Sequence, residues 1–404
     1  MPVIHLCSPR GFRASGVYAG IKTRETPDVG MIVCDINATA AAVFTTNKVF
    51  AAPVKIGREN IAPGKLRGVV VNAGNANACT GKQGEADARR MCHLAGIAIG
   101  CDERLIIPSS TGIIGHLLPM DKIERGIAHA GHALGRDREH ALHFSDAILT
   151  TDLKRKEAAT TFKLGRETIT LAGVCKGSGM IGPRMALGPP HATLLAYITT
   201  DAAVSASVLR KLLAQSADRS FNAVTVDDHT STNDTLAILA SGMSNAKINT
   251  PRATNAFAAA LDEVCQSLAY QIAADGEGAT KVVKITVKSA SSEEAARTIA
   301  RTIANSPLVK CAMHGNDPNW GRIVSAAGYA NVPFNPEKCS LTLQAVPVFR
   351  HGRPLDFNAA TLSKKLDKPE VDVVLECRQG KSTAVCWTCD LSKDYVTINA
   401  DYHT

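Results

Sequence analysis

Lys176-Gly-Ser-Gly-Met180, a Pro/Gly-rich run, and then Ala192-Thr193-Leu-Leu-Ala-Tyr-Ile-Thr-Thr-Asp201 decide how this chain is read. A loop feeds into a threonine that opens an apolar, β-branched strand. That arrangement suits a self-cleaving precursor. Attack of the Thr193 hydroxyl on the Ala192 carbonyl would break the Ala192–Thr193 bond and leave Thr193 as a new N-terminus. An N-terminal threonine carries a hydroxyl nucleophile beside an α-amine. That amine titrates near ~7.7–8, so it accepts a proton at neutral pH where a lysine side chain does not. A Gly/Pro turn before a buried strand is the structural alternative for the same residues.

Working outward, 404 residues exceed one simple core and point to two or three domains or one large layered one. The chain has few aromatic residues and many Ala, Val, Ile and Thr, which suits sheets of small and β-branched side chains covered by helices. A net charge of +8 comes from basic residues scattered among acids, with no basic run. This argues against a nucleic-acid partner and allows a locally positive pocket for an acidic substrate. No window approaches the ~18 apolar residues of a membrane span, and Met1 to Arg10 lacks a signal-peptide core. No membrane role is expected. Twelve cysteines without disulfide-framework spacing imply free thiols and a cytoplasmic setting. Cys386-Trp-Thr-Cys389 has no second ligand pair, so it reads as packed strand cysteines, and no metal site is expected. His129, His132, His140 and His143 fall on helical stretches without a third-ligand pattern.

Periodicity sets the elements. Gly68–Asn72 reads as a buried strand entering a polar loop, Ala73 to Gly81. Glu85 to Ile99 reads as a helix with Ala88, Met91, Cys92, Ala95 and Ile99 on one face. Arg104–Pro108 is a short strand and Ser109–Gly115 a turn after it. Helices follow over 121–134 and 140–149, and Glu167–Leu171 alternates like a strand. After Thr193 the pattern gives strand 193–199, helix 205–217, strand Ala223–Val226 and a long helix over 253–274. Strand Val282–Lys288, helix 292–304 and a hairpin-rich stretch 338–404 complete the chain. Strands and helices mix without regular βαβ alternation, which is the α+β class with helices packed outside sheets.

Motifs in order along the chain carry a resemblance. They are Gly11-Phe-Arg-Ala-Ser-Gly16, Val43-Phe-Thr-Thr46, Asn72-Ala-Gly-Asn-Ala-Asn77, Ser110-Thr-Gly-Ile-Ile-Gly115 and Thr150-Thr-Asp152. Lys176-Gly-Ser-Gly-Met-Ile181, Thr193 to Asp201, Ser231-Thr-Asn-Asp-Thr235 and Asp275-Gly-Glu-Gly-Ala279 continue it. Asn305-Ser-Pro-Leu-Val-Lys310, His314-Gly-Asn-Asp-Pro-Asn-Trp-Gly-Arg322 and Asn399-Ala-Asp-Tyr-His-Thr404 end it. With these the chain resembles the ornithine acetyltransferase family, also called glutamate N-acetyltransferase or ArgJ, of arginine biosynthesis. The resemblance covers essentially the whole chain. It implies two stacked β-sheets between helix layers (an αββα sandwich). It also implies a precursor cut into an α chain, 1–192, and a β chain, 193–404, that stay together as a heterotetramer of two α and two β. The implied reaction moves acetyl from N2-acetylornithine to glutamate by a ping-pong route through an acetyl-Thr intermediate. No cofactor is implied, although acetyl-CoA is a further candidate donor.

The resemblance also suggests roles, each with its own chemistry. Thr193 is the nucleophile. Thr111 and Gly112 follow a strand in a tight turn, where a hydroxyl and a backbone N–H can converge on one oxygen as an oxyanion hole. Lys176 suits a substrate carboxylate, and Thr150 and Thr151 resemble substrate contacts. Glu277, between two glycines, resembles the glutamate that meets the ornithine amine. Asn399 and Thr404 match positions where the C-terminus reaches the substrate. The chain departs from the family run Lys-Gly-Ser-Gly-Met-Ile-x-Pro-Asn-Met-Ala-Thr in one place. Six residues, Leu187–Ala192, stand inserted before Thr193, and His191 is two residues before it instead of Met. Two other readings stay open. One is an autoprocessed aminopeptidase or amidase with water as acceptor. The other is an unprocessed, non-catalytic relative.

Overall fold

The computed structural model describes residues 3–185 and 194–401. Ala192, Thr193 and Thr404, with the inserted segment and the penultimate His403, lie outside the described residues. Two compact units are formed. The first holds the chain up to Asn222 and His229–Leu268; the second holds Ala223–Asp228 and the chain from Ala269 on.

In the first unit the elements are β1 (Phe12–Val17), β2 (Val29–Phe44), α1 (Ala52–Ile61), β3 (Lys65–Asn75), α2 (Gly81–Ile99), β4 (Ile106–Ile113), α3 (Met120–His132) and α4 (Arg138–Ala147). Then come β5 (Lys156–Leu164), β6 (Glu167–Lys176), β7 (Leu195–Thr200), α5 (Ala206–Arg219), β8 (Thr235–Ala240) and α6 (Pro251–Ala274), whose last residues pass into the second unit. The strands make one eight-stranded sheet in the order β4-β3-β2-β8-β7-β6-β5, with β1 on β2. The long β2 is shared: its first half pairs with β1 and its second half with β8. The β3–β4 and β7–β8 pairs are parallel, and the others are antiparallel.

Alternation along β2 explains why both faces of the sheet are dry. Ile32 and Cys34 join Phe12, Phe144 and Tyr197 on one side. Met31 and Val33 join Met91, Ile123 and Ile127 on the other. The expected stripe of α2 is present, with Ala88, Met91, Cys92 and Ala95 buried, and Gly100 ends the helix at φ +68°.

The second unit contains β9 (Val282–Ala290), α7 (Glu293–Asn305), α8 (Pro307–His314), α9 (Trp320–Gly328), β10 (Ser340–Leu343), β11 (Val346–Arg350), β12 (Arg353–Pro354), α10 (Ala359–Leu366), β13 (Glu370–Glu376), β14 (Ser382–Cys389) and α11 (Lys393–Asp401). Its sheet runs β12-β11-β10-β13-β9-β14. Val283, Ile285 and Val287 of β9 pack with Ala296, Ile299 and Ile303 of α7, while Lys284 and Lys288 are exposed. Helix α7 starts at Ser292, whose hydroxyl accepts from the Ala295 N–H at 3.0 Å. Glu293 and Glu294 sit at its positive end. Cys386 and Cys389 are buried in β14, as packed strand cysteines.

The α+β class, two sheets with helices, is therefore what the chain adopts. Two local expectations fail. Ser109–Gly115 is not a turn after a strand: β4 continues through Thr111 and Gly112 to Ile113. The reason is Gly112. A β-carbon on Gly112, at φ +131°, would lie 2.3 Å from the Gly74 carbonyl carbon. Without one, β3 and β4 stay paired through an irregular register in which Asn75 meets both Thr111 and Ile113. The stretch Ala223–Val226 is not a strand either. Phe221–Ala223 is a 3-10 turn, and Val224 makes one isolated bridge to Trp387. No described helix is long and apolar enough to cross a membrane.

Candidate active site

Strand pairing brings three candidate residues of the first unit, Thr111, Thr150 and Lys176, into one hydrogen-bonded cluster. Thr111 projects from β4 and Lys176 ends β6; both are almost wholly buried, at 1% and 4% exposure. The Lys176 ammonium donates to the Thr150 hydroxyl at 2.8 Å and to the Thr111 hydroxyl at 3.3 Å. Thr151, the next residue, is half-buried. The ammonium also lies 3.8 Å from a carboxylate oxygen of Asp152, whose side chain is fully enclosed. The other Asp152 oxygen accepts from the Lys156 ammonium at 2.7 Å and from the Gly177 N–H at 2.6 Å. One carboxylate thus holds two buried lysines. Burial pushes the Asp152 carboxyl up. The charges of Lys176 and Lys156, with the Lys156 and Gly177 hydrogen bonds, outweigh that and hold it well below the usual carboxylate range.

This arrangement has a chemical consequence for Thr111. Its oxygen accepts from a cation, so its hydrogen is free to point elsewhere, polarised by the ammonium behind it. A hydroxyl so placed is a donor for a developing oxyanion. Support comes from the segment Ser231–Thr235. Asn233 is buried and donates to the Ser110 carbonyl at 2.8 Å and the Ala76 carbonyl at 2.6 Å, bracing the peptide that leads into Thr111. Asn72 accepts from the Ser110 hydroxyl at 2.6 Å.

Lys176 also pairs in register with Leu195, and Leu195 with Thr235. The Thr235 N–H donates to the Leu194 carbonyl at 2.7 Å.

Glu277 and Asn399 meet in the second unit. The Asn399 side-chain amide donates to Glu277 at 2.8 Å and to the Tyr395 carbonyl at 2.9 Å. Asn399 thus lies within helix α11 and holds Glu277 by a direct hydrogen bond. Gly278, at φ +67°, admits the close approach: a β-carbon there would lie 2.5 Å from the Tyr395 nitrogen.

Sequence reasoning carries Asp152 and Asp234 inside motifs without giving them roles, and misses Lys22. The Lys22 ammonium donates to the Pro27 carbonyl at 2.7 Å and the Asp146 carbonyl at 3.2 Å. Burial pushes its pKa down to about 8; nearby Asp28 opposes this and the Lys176 charge adds to it. Only burial distinguishes these groups, and burial becomes visible once the strands pair.

Residues 13–404 match the model of the ArgJ family. The arginine biosynthesis bifunctional protein ArgJ of Bacillus cereus is 43% identical over 402 residues, covering 99% of this chain and 96% of that protein. The protein of the same description from Thermotoga neapolitana is 43% identical over 406 residues, covering 98% and 99%. Among solved structures, ornithine acetyltransferase of Mycobacterium tuberculosis in complex with ornithine is 34% identical. That match covers 45% of this chain and 96% of the solved one, with a TM-score of 0.42.

Proposed function

Because the chain belongs to the ArgJ family, we propose that it cuts itself before Thr193 and moves acetyl from N2-acetylornithine to glutamate through an acetyl-Thr193 ester. It is an acetyltransferase of arginine biosynthesis, and small amino acids are its substrates. The observation that carries the detailed reading is the buried Asp152–Lys176–Thr111 relay, ending where β6 pairs with β7 just after Thr193. In the first half-reaction the Thr193 hydroxyl attacks the acetyl carbon and its proton passes to the α-amine. Thr111, with the Gly112 N–H, stabilises the oxyanion. Ornithine leaves with the proton. Glutamate then attacks the ester by the same steps in reverse.

Lys176 attracts the carboxylate that both substrates share. For Glu277 and Asn399, with Thr151 and Thr404, the family resemblance supplies substrate-holding roles, Glu277 at the ornithine amine. The segments 1–192 and 193–404 stay associated, as two copies of each. Acetyl-CoA is assigned as an alternative acetyl donor, in keeping with the word "bifunctional" in the relatives' description.

Intact-mass analysis of the purified protein tests the first step. Fragments 1–192 and 193–404 are expected; another new N-terminus would place the nucleophile elsewhere. Acetylornithine supplied alone should leave one acetyl group on the 193–404 fragment, and double-reciprocal plots should be parallel. Release of acetate in place of acetylglutamate would make the enzyme a hydrolase. Intersecting lines without trapped acetyl would replace the covalent route with direct transfer.

A further inference from the structure

Cys339 and Cys377 stand opposite one another at the end of a strand pair in the second unit. Both are free, fully enclosed thiols. Strands β10 and β13 run antiparallel, with Ser340 across from Glu376, Leu341 from Leu375 and Leu343 from Val373. One step beyond Ser340 and Glu376, the same register sets Cys339 across from Cys377. Alternation puts these two on the face that carries Leu341, Leu343, Val373 and Leu375. All six residues belong to one buried core cluster.

The hydrogen bonds tell which kind of pair this is. The Gln344 N–H donates to the Asp372 carbonyl at 2.9 Å, so the even-numbered residues of β13 turn their backbone groups toward β10. The Cys377 N–H donates the other way, to the Lys288 carbonyl of β9 at 2.9 Å. The Cys339 carbonyl also faces outward. It accepts from the Gly352 N–H, in the turn between β11 and β12, at 3.4 Å. Cys339 and Cys377 therefore form a non-hydrogen-bonded pair. In that class opposed α-carbons lie about 4.5 Å apart and the side chains come closest. A disulfide spans α-carbons about 4.4–6.8 Å apart, so no backbone movement is needed to join these two. The third cysteine of the cluster, Cys386, does not fit. It lies on β14, and β9 separates it from β13. Two strand spacings are roughly 10 Å, beyond the ~7 Å limit for a bridge.

We propose that Cys339 and Cys377 are a paired dithiol site, at which a small-molecule disulfide oxidises the protein and staples β10 to β13. The thiolate of one cysteine attacks the small disulfide, forms a mixed disulfide and expels one half as a thiolate. The sulfur of the other cysteine attacks the mixed disulfide and expels the second half. The two cysteine protons end on the two expelled thiolates, and two electrons pass from the cysteines to the oxidant. The reduced Cys339 thiol donates to the Pro336 carbonyl at 3.3 Å, and a turn about its Cα–Cβ bond releases it. Burial pushes both thiols up to about 11, and the Cys339 charge adds to this at Cys377. Few thiolates form at neutral pH, so this pair reacts later than the exposed Cys79 and Cys311. Fraying of the strand ends, where the neighbouring Lys338 and Arg378 are exposed, admits the oxidant.

The test treats the full reduced chain with oxidised glutathione under native conditions. Remaining thiols are then alkylated, the protein is digested without reductant, and the peptides are read by mass spectrometry. A peptide pair joined through Cys339 and Cys377, two hydrogens lighter than its separate parts and released by dithiothreitol, is expected. Oxidation should raise Tm by about 5 °C, because the cross-link restricts the unfolded chain. Cys339→Ser and Cys377→Ser, treated alike, should show no such gain.

The assignment is overturned if both cysteines are still alkylated long after Cys79 and Cys311 have been converted to mixed disulfides. It is equally overturned if either cysteine is joined to Cys386, or if the pair forms only in urea. A fall in Tm on oxidation overturns it too, because the bridge would then work against the native register.

Discussion

Replacing Asp152 by Asn should unsettle the centre of the first unit. The carboxylate lies 2.7 Å from the Lys156 ammonium and 3.8 Å from that of Lys176, and all three side chains are enclosed. At an effective dielectric constant of 20, Coulomb's law gives these pairs about 6 and 4 kcal/mol of attraction. Most of that offsets the cost of taking the charges out of water. Removing one partner of such a group typically costs about 3–5 kcal/mol, because the remaining charge is stranded. Local hydrogen exchange reads this directly. If opening of β6 costs 3 kcal/mol less, amides of Glu167–Lys176 should exchange about 10²-fold faster, and those of β9 in the second unit should not change. Asp152→Asn combined with Lys156→Met leaves one stranded lysine in place of two and should recover part of the loss. Exchange in β6 within threefold of wild type would refute the reasoning. A double variant no better than the single one would show that the loss came from geometry and not from charge.

Two further outcomes follow from the same cluster. Thr111→Ala should lower kcat by roughly 10²–10³-fold with a smaller effect on KM, as for a donor that acts mainly on the transition-state oxyanion. Thr111→Ser should restore most of it, and unchanged single-turnover rates for Thr111→Ala would remove the residue from the site. Lys22 gives a pH dependence of stability. Its folded pKa, about 8, lies below the 10.5 of the free side chain, so between those values the unfolded chain binds more protons and stability rises with pH. The gain is at most about 3 kcal/mol. It should disappear in Lys22→Met, measured as the difference between the two proteins from pH 7 to 10.5.

The sequence makes legible whatever depends on local period. The α2 stripe, the alternation of β9 and the acid-rich first turn of α7 all stand where their patterns place them. It fails where structure depends on a distant partner. Ser109–Gly115 looks like a turn because Ser, Thr and Gly cluster there. It stays in the sheet because Gly112, lacking a β-carbon, lets β4 lie against the backbone of Gly74 and Asn75, a partner distant in sequence. Ala223–Val226 has strand composition but obtains only one bridge.

The candidate site divides the same way, and the division explains its chemistry. Thr111, Lys176 and Glu277 stand in motifs that a reader can recognise. The groups that give those motifs their properties, Asp152 and Asn233, are ordinary polar residues in a one-dimensional reading. Their effect depends on exclusion from water. In solvent, Asp152 beside two lysines would be a weak surface pair. Enclosed, it fixes the ammonium that orients Thr111. Asn233, buried, braces the peptide before Thr111. Asp234 is fully buried, neither of its carboxylate oxygens has a hydrogen-bond partner among the described residues, and burial pushes its carboxyl well above the ordinary range. The β6–β7–β8 alignment places Lys176, the head of β7 and the entry to β8 side by side. The position of Thr111 and the start of β7 therefore depend on the same buried charge, because Asp152 holds the Lys176 ammonium that reaches Thr111 and Lys176 is itself the residue paired with Leu195.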